Sequence, residues 1–118
     1  MEAPAVQMDV RRLAGAVAVV DISGDVTGSC EPTLMAAYEE AGSAGAGQVI
    51  LNFAGLEYMN SSGIGVLVTL LVRANRRHHK LAAYGLSDHY RELFELTRLD
   101  EAITLYDDEA SALAGSAR

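Results

Sequence analysis

Residues 48–53, QVILNF, and 81–85, LAAYG, are two apolar runs with a helix-patterned stretch between them. A strand with one wet face alternates apolar and polar residues, whereas a continuous apolar run belongs to a strand covered on both faces. Strand, helix, strand in that order makes a parallel crossover, and the flanking segments extend the pattern. VQMDVRRLAGAVAVVDISG reads as two strands rich in valine, with LAG at 13–15 as the hairpin turn. Leu34, Ala37, Tyr38 and Ala41 fall at i, i+3, i+4 and i+7 of a first helix, with Pro32 suited to its first turn and GSAGAG at 42–47 ending it. A second helix is expected from about Ser62 to Arg77. Ser87 and Asp88 open a third, whose inner stripe is Tyr90, Leu93, Phe94 and Thr97. AITLY is a last strand, and Asp107 or Asp108 caps a final helix through Leu113. The expected order is β-β-α-β-α-β-α-β-α. That is an α/β fold with a sheet of about five strands, an N-terminal hairpin followed by mostly parallel strands, and about four helices. We expect a single domain over 1–118, its core spanning about 6–113. In such sheets functional groups gather at the carboxyl ends of strands, here the loops 23–31, 54–63 and 85–88.

The chain bounds what those loops can do. Its longest apolar stretch, Ile64 to Val72, is interrupted by Thr69 and ends at Arg73, too short for the ~20 residues of a membrane span. MEAPAVQMDV has neither the basic nor the apolar region of a secretion signal. The one cysteine, Cys30, leaves no internal disulfide and fits a reducing compartment, so a cytoplasmic protein is expected. The formal net charge of -7 repels nucleic acid phosphates. RRHHK, 76–80, is the only dense basic cluster, and it reads as a solvated helix end.

The stretch NSSGIG, 60–65, invites several chemistries and fails most of them. A dinucleotide fingerprint needs a third glycine where Val68 stands, and a phosphate-binding Walker loop needs a lysine, of which the chain has only Lys80. A nucleophile elbow needs glycine two residues before its serine, where Met59 and Asn60 stand instead. His78 and His79 are adjacent and cannot share a helix face as metal ligands, so no metal and no cofactor is expected. Nothing assembles a nucleophile, a base and an orienting group, so an enzyme is not expected. Two readings of NSSG remain. Asn and Ser are preferred helix caps, and the turn could be a cap alone. The same free N–H groups and positive dipole end would also favour a phosphate on a serine there.

The ordered set LNFAGLEYMNSSGIGVLVTLLVRAN, then LAAYGLSDHYRELFELTRLDEAITLYDDEASAL, resembles a STAS domain of the anti-sigma-factor antagonist type. ISGDVT, 22–27, is similar to that family's glycine-bearing segment. The resemblance implies a binding switch. Its partner would be an anti-sigma factor that is also a serine kinase, and binding would release a sigma factor. The serine before the glycine, Ser62, would accept phosphate, with Ser61 the runner-up, and a metal-dependent PP2C-type phosphatase would remove it. The partner surface would include Asp25, Thr27, Asn60, Ser61, Ser62 and Gly63. The family's usual aspartate two residues before the acceptor is Asn60 here. Members also occur in larger complexes, some never phosphorylated, so a scaffold or sensor subunit stays open at this point, as does a small-molecule or nucleotide-binding module using loops 23–31 and 54–63. Periodicity adds a patch. With Ile64, Leu67, Val68 and Leu71 turned to the sheet, Val66, Leu70, Arg73 and Arg77 would face outward beside Thr69 as a docking face.

Overall fold

The computed structural model describes residues 6–13, 16–42 and 45–116. Five strands form one sheet: β1 (Val6–Leu13), β2 (Val17–Val26), β3 (Gln48–Met59), β4 (Lys80–Tyr84) and β5 (Ile103–Tyr106). They lie side by side in chain order. β1 runs antiparallel to β2, with Val10 opposite Val20, and every later pair is parallel. The helices are α1 (Glu31–Gly42), α2 (Ser61–Arg76), α3 (Asp88–Leu96) and α4 (Glu109–Ser116). The expected mixed sheet and its order of elements are therefore present. The hairpin turn expected at 13–15 falls mostly on residues 14–15, and part of the break at 42–47 on 43–44, outside the described residues.

Strand order decides which side each helix takes. Right-handed crossovers between successive neighbouring strands place α1, α2 and α3 on one face. Leu34 and Tyr38 of α1, Leu67 and Leu70 of α2 and Phe94 of α3 accordingly share one buried cluster with Ala18, Val20 and Ile22 of β2. The opposite face carries Val17, Val19, Ile50 and Ala82 under Ala112 of α4. Alternate residues of β2 thus enter different cores, which is why its apolar run is unbroken.

Two loops are shorter than expected, because β2 continues to Val26 and β3 to Met59. Beyond Asn52 opposite Tyr84, β3 has no further pairing with β4. Residues 55–59 pair with β2 alone, as a two-stranded ribbon beyond the body of the sheet. Gly24, at φ 92°, lies beside a break in the regular register there. On α3, Thr97 is exposed rather than inward, and its hydroxyl donates to the Leu93 carbonyl 2.8 Å away. Ser87 precedes α3 without a side-chain cap bond, whereas Asp108 caps α4 by accepting from the Ser111 N–H at 2.8 Å.

The phase of α2 also differs from the sequence expectation, and this correction matters for function. Val66 is 4% exposed and Leu70 is fully buried, so neither belongs to an outward docking face. The inward stripe is Gly63, Val66, Leu67, Leu70 and Ala74, at i, i+3, i+4, i+7 and i+11. Its two ends are small residues, which let the helix lie close to the sheet. The outward apolar residues are Val68 and Val72.

A polar row crosses the α4 face of the sheet. The Arg11 guanidinium holds Asp21 at 2.6 and 2.9 Å and Glu109 at 2.6 Å. Asn52 donates to Asp21 at 2.8 Å, and the Tyr84 hydroxyl donates to Glu109 at 2.7 Å. Arg11 holds both carboxyls below their ordinary range. Burial and then the Glu109 carboxylate push Tyr84 up to about 12. A carboxyl with a depressed folded pKa contributes stability above its unfolded value, about pH 4, and loses it as pH falls through the folded value. Below about pH 4 the urea midpoint is therefore expected to fall more steeply in wild type than in Arg11→Gln, which has already lost the pairing. At neutral pH that variant is expected to be about 1 kcal/mol less stable, since both carboxylates are partly wet. Parallel pH profiles of the two proteins would show that the row carries no linked stability.

Candidate functional site

The site is built where the long ribbon ends and α2 begins. Asn60 is the only residue between β3 and α2, held extended at φ -113° and ψ -178°. Its Oδ1 accepts from the Gly63 N–H at 2.9 Å, and its backbone oxygen accepts from the Ile64 N–H at 3.0 Å. One of the orphan amides at the helix start is thereby satisfied, an arrangement contributing about 1 kcal/mol. The Asn60 N–H donates to the Val26 carbonyl at 3.3 Å, tying the turn to the end of β2.

Gly63 then lies directly on that carbonyl. A Cβ at this position would run into the Val26 oxygen and carbon, so no other residue fits without moving the helix. This contact fixes where Ser61 and Ser62 emerge. Both are exposed, and among the described residues the Ser62 hydroxyl has no hydrogen-bond partner. On its flank, Gly28 opens a short 3-10 turn, Gly28–Cys30. A Cβ on Gly28 would stand 3.2 Å from Ser62 Cβ, so a side chain there would crowd Ser62. Thr27 and Ser29 share a hydroxyl hydrogen bond of 2.9 Å beside it.

The structure therefore brings Asn60, Ser61, Ser62 and Gly63 together with Thr27 and the unanticipated Gly28. Asp25 stands two residues back on β2, half-buried and opposite Tyr58. Arg73 lies eleven residues along α2, about 16 Å from Ser62 at 1.5 Å per residue, and pairs with Glu39 at 3.4 Å. No acidic residue stands in the first turn of α2, and Arg73 and Arg76 stand in its last, so side-chain charge complements the dipole only at the C-terminal end. Among the described residues no group of three or more His, Cys, Asp or Glu side chains is placed to hold a metal ion. An exposed, unbonded hydroxyl on a fixed turn is well placed to be modified or contacted. Among the described residues it is hydrogen-bonded to no base that would activate it as a nucleophile.

The family described as Mlab, STAS domain, matches residues 10–106. The chain belongs to the STAS-domain family. This STAS domain is 37% identical over 54 residues to an anti-sigma-B factor antagonist of Listeria monocytogenes, a match covering 46% of this chain and 47% of that protein. The matched segment thus spans about half the length of that relative. Among solved structures, an anti-sigma factor antagonist from Mycobacterium paratuberculosis superposes with a TM-score of 0.82 at 21% identity, over 100% of both chains. The Bacillus cell fate determinant SpoIIAA in its phosphorylated form gives 0.68 at 19% identity, over 92% of this chain and 97% of that one. At these identities the structural likeness shows the fold. No helix among the described residues is long and apolar enough to cross a membrane.

Proposed function

We propose that this STAS domain is an anti-sigma-factor antagonist, a binding switch that holds an anti-sigma factor with serine kinase activity and so releases a sigma factor. The observation that carries the reading is Ser62, exposed and unbonded at the mouth of α2 on a turn fixed by Gly63. The similarity to an anti-sigma-B factor antagonist supports it, as does a structural neighbour described in a phosphorylated form. The partner would contact Asp25, Thr27, Asn60, Ser61, Ser62 and Gly63, then run along the outer face of α2 past Val68 and Val72 toward Arg73. Phosphate on Ser62 would add close to two negative charges to that contact and break it. A PP2C-type phosphatase would restore it, in the cytoplasm.

Incubation with ATP and the serine kinases of its own genome tests the switch. Ser62→Ala is expected to abolish phosphorylation and Ser61→Ala to leave it largely intact, with mass spectrometry locating the phosphate. Ser62→Asp is expected to keep its thermal stability, because a carboxylate at a helix N-terminus is favourable by about 0.3–1 kcal/mol. It is expected to lose the anti-sigma partner. Tight binding by Ser62→Asp would remove the mechanism.

A second reading rests on Asn60, which caps α2 with an amide oxygen where the resemblance to the antagonist type implies an aspartate. In that reading the domain is a scaffold or sensor subunit that is never phosphorylated. Absence of phosphorylation by every kinase tried, with partner binding retained, would favour it.

A further inference from the structure

Among the described residues four large hydrophobic side chains are exposed: Tyr58 at 49%, Val68 at 44%, Val72 at 46% and Leu96 at 76%. Three of them lie on α2 and α3. Val68 and Val72 are one turn apart and line a shallow groove of about 370 Å³ with Thr69, Arg73, Arg76 and Arg77. The chain has nine lysines and arginines, and four of them fall between 73 and 80. Arg73 and Arg77 share one carboxylate, Glu39, at 3.4 and 2.8 Å, so the groove keeps an excess of positive charge.

The outer face of α3 is the converse. Asp88, Glu92 and Leu96 follow one another at one-turn spacing, with Glu95 beside them, and all four are exposed. Among the described residues Asp88, Glu92 and Glu95 enter no ion pair, because Arg91 is turned to Asp107 at 3.2 Å. Leu96, the most exposed large apolar side chain among the described residues, is thus framed by unpaired acids.

From these two faces we infer that the chain associates with a second copy of itself, the basic outer face of α2 in one protomer resting on the acidic outer face of α3 in the other. The topology permits this twice in one contact. α2 and α3 connect successive pairs of parallel strands, so they run in the same sense on one side of the sheet. A two-fold axis running between them, parallel to both, sets α2 on the other protomer's α3 and α3 on its α2. The interface is then self-complementary and closed. Charge decides the occupant. An acidic segment of another protein would satisfy the α2 groove and leave Leu96 and its acids uncovered, whereas a second copy covers both. Association also covers the outer face of α2 that opens from Ser62, so a partner docking along that face meets the monomer.

Sedimentation equilibrium of the full chain at neutral pH and moderate salt tests this. Wild type is expected to form a dimer with a dissociation constant between about 1 μM and 1 mM. Arg76→Glu and Glu92→Arg, both at exposed positions, are each expected to raise that constant at least about tenfold by placing like charges together. An equimolar mixture of the two variants is expected to associate again, because one helix contact regains the native pair and the other carries it reversed. Far-ultraviolet circular dichroism and melting show whether each variant is folded. The proposal is overturned by a wild type that stays monomeric to about 1 mM, which would leave the groove to an acidic partner of another kind. A dimer that either variant leaves intact overturns it too, as does a mixture that fails to associate.

Discussion

Leu70→Ala is expected to destabilise the protein by about 2–5 kcal/mol, and Leu70→Asp to unfold it. Leu70 is fully buried, and it lies in the same cluster as Leu34, Tyr38 and Phe94, so α1, α2 and α3 all meet the core it belongs to. Truncation removes buried methyl groups and leaves a cavity that three packed helices cannot fully close. A carboxylate there is worse, since the cluster is built of apolar residues and supplies nothing to pair with a charge. Domains of this size are stable by only about 5–15 kcal/mol, so a buried unpaired charge takes most of the margin. Val68→Asp and Val72→Asp, two positions either side on the same helix, are expected to stay within about 0.5 kcal/mol of wild type. Urea midpoints of the four variants separate the cases. A folded Leu70→Asp beside an unfolded Val68→Asp would mean that α2 presents the opposite stripe to the sheet.

That contrast shows how far the sequence could be read. The order of elements was legible because QVILNF, LAAYG and AITLY are dense in residues that only a covered strand tolerates. The inward stripe of α1 was legible because Leu34, Ala37, Tyr38 and Ala41 keep helical spacing on one side while Glu31, Thr33, Glu39 and Glu40 mark the other, although buried Met35 widens the stripe. α2 offers no such contrast. From Ile64 to Val72 every residue but Gly65 and Thr69 is aliphatic, so several phases fit equally well. Small residues, Gly63 and Ala74, end the stripe that faces the sheet, and small residues carry little weight in a hydrophobic pattern. The far end of β3 was hidden for a related reason. Residues 55–59 pair only with β2, and their ribbon is half wet, so AGLEY reads as loop. Asn52, inside an apolar run, bonds Asp21 across the strands, a pairing visible only once register is known. At the candidate site, NSSG announced a capped turn with serines at its mouth. Gly28 beside Ser62 could not be read, because that proximity joins residues 34 positions apart.

Two glycines of α2, two residues apart, are expected to respond in opposite directions to the same substitution. At Gly65 a Cβ meets nothing within 4 Å, and the position is exposed. Gly65→Ala should therefore express helix propensity alone and stabilise the protein by about 0.5–1 kcal/mol. At Gly63 the same propensity gain is present, but the new methyl group is driven into the Val26 carbonyl. Backbone on both sides of that contact has to move, which costs more than a flexible side chain shifting. The first turn of α2 would lift from the end of β2, straining the Asn60 to Val26 hydrogen bond of 3.3 Å and the cap on the Gly63 N–H. Overpacking of this kind costs about 1–3 kcal/mol, enough to outweigh the propensity term. Gly63→Ala should thus be destabilised where Gly65→Ala is stabilised, as urea midpoints will read. The effect on function should diverge further. Lifting the turn displaces Ser62 from its place beside Gly28, so Gly63→Ala is expected to slow phosphorylation and weaken partner binding beyond what its loss of stability accounts for. A Gly63→Ala protein as stable as Gly65→Ala would show that α2 does not rest on the Val26 carbonyl. Ser62 would then stand on a turn that β2 leaves free to move.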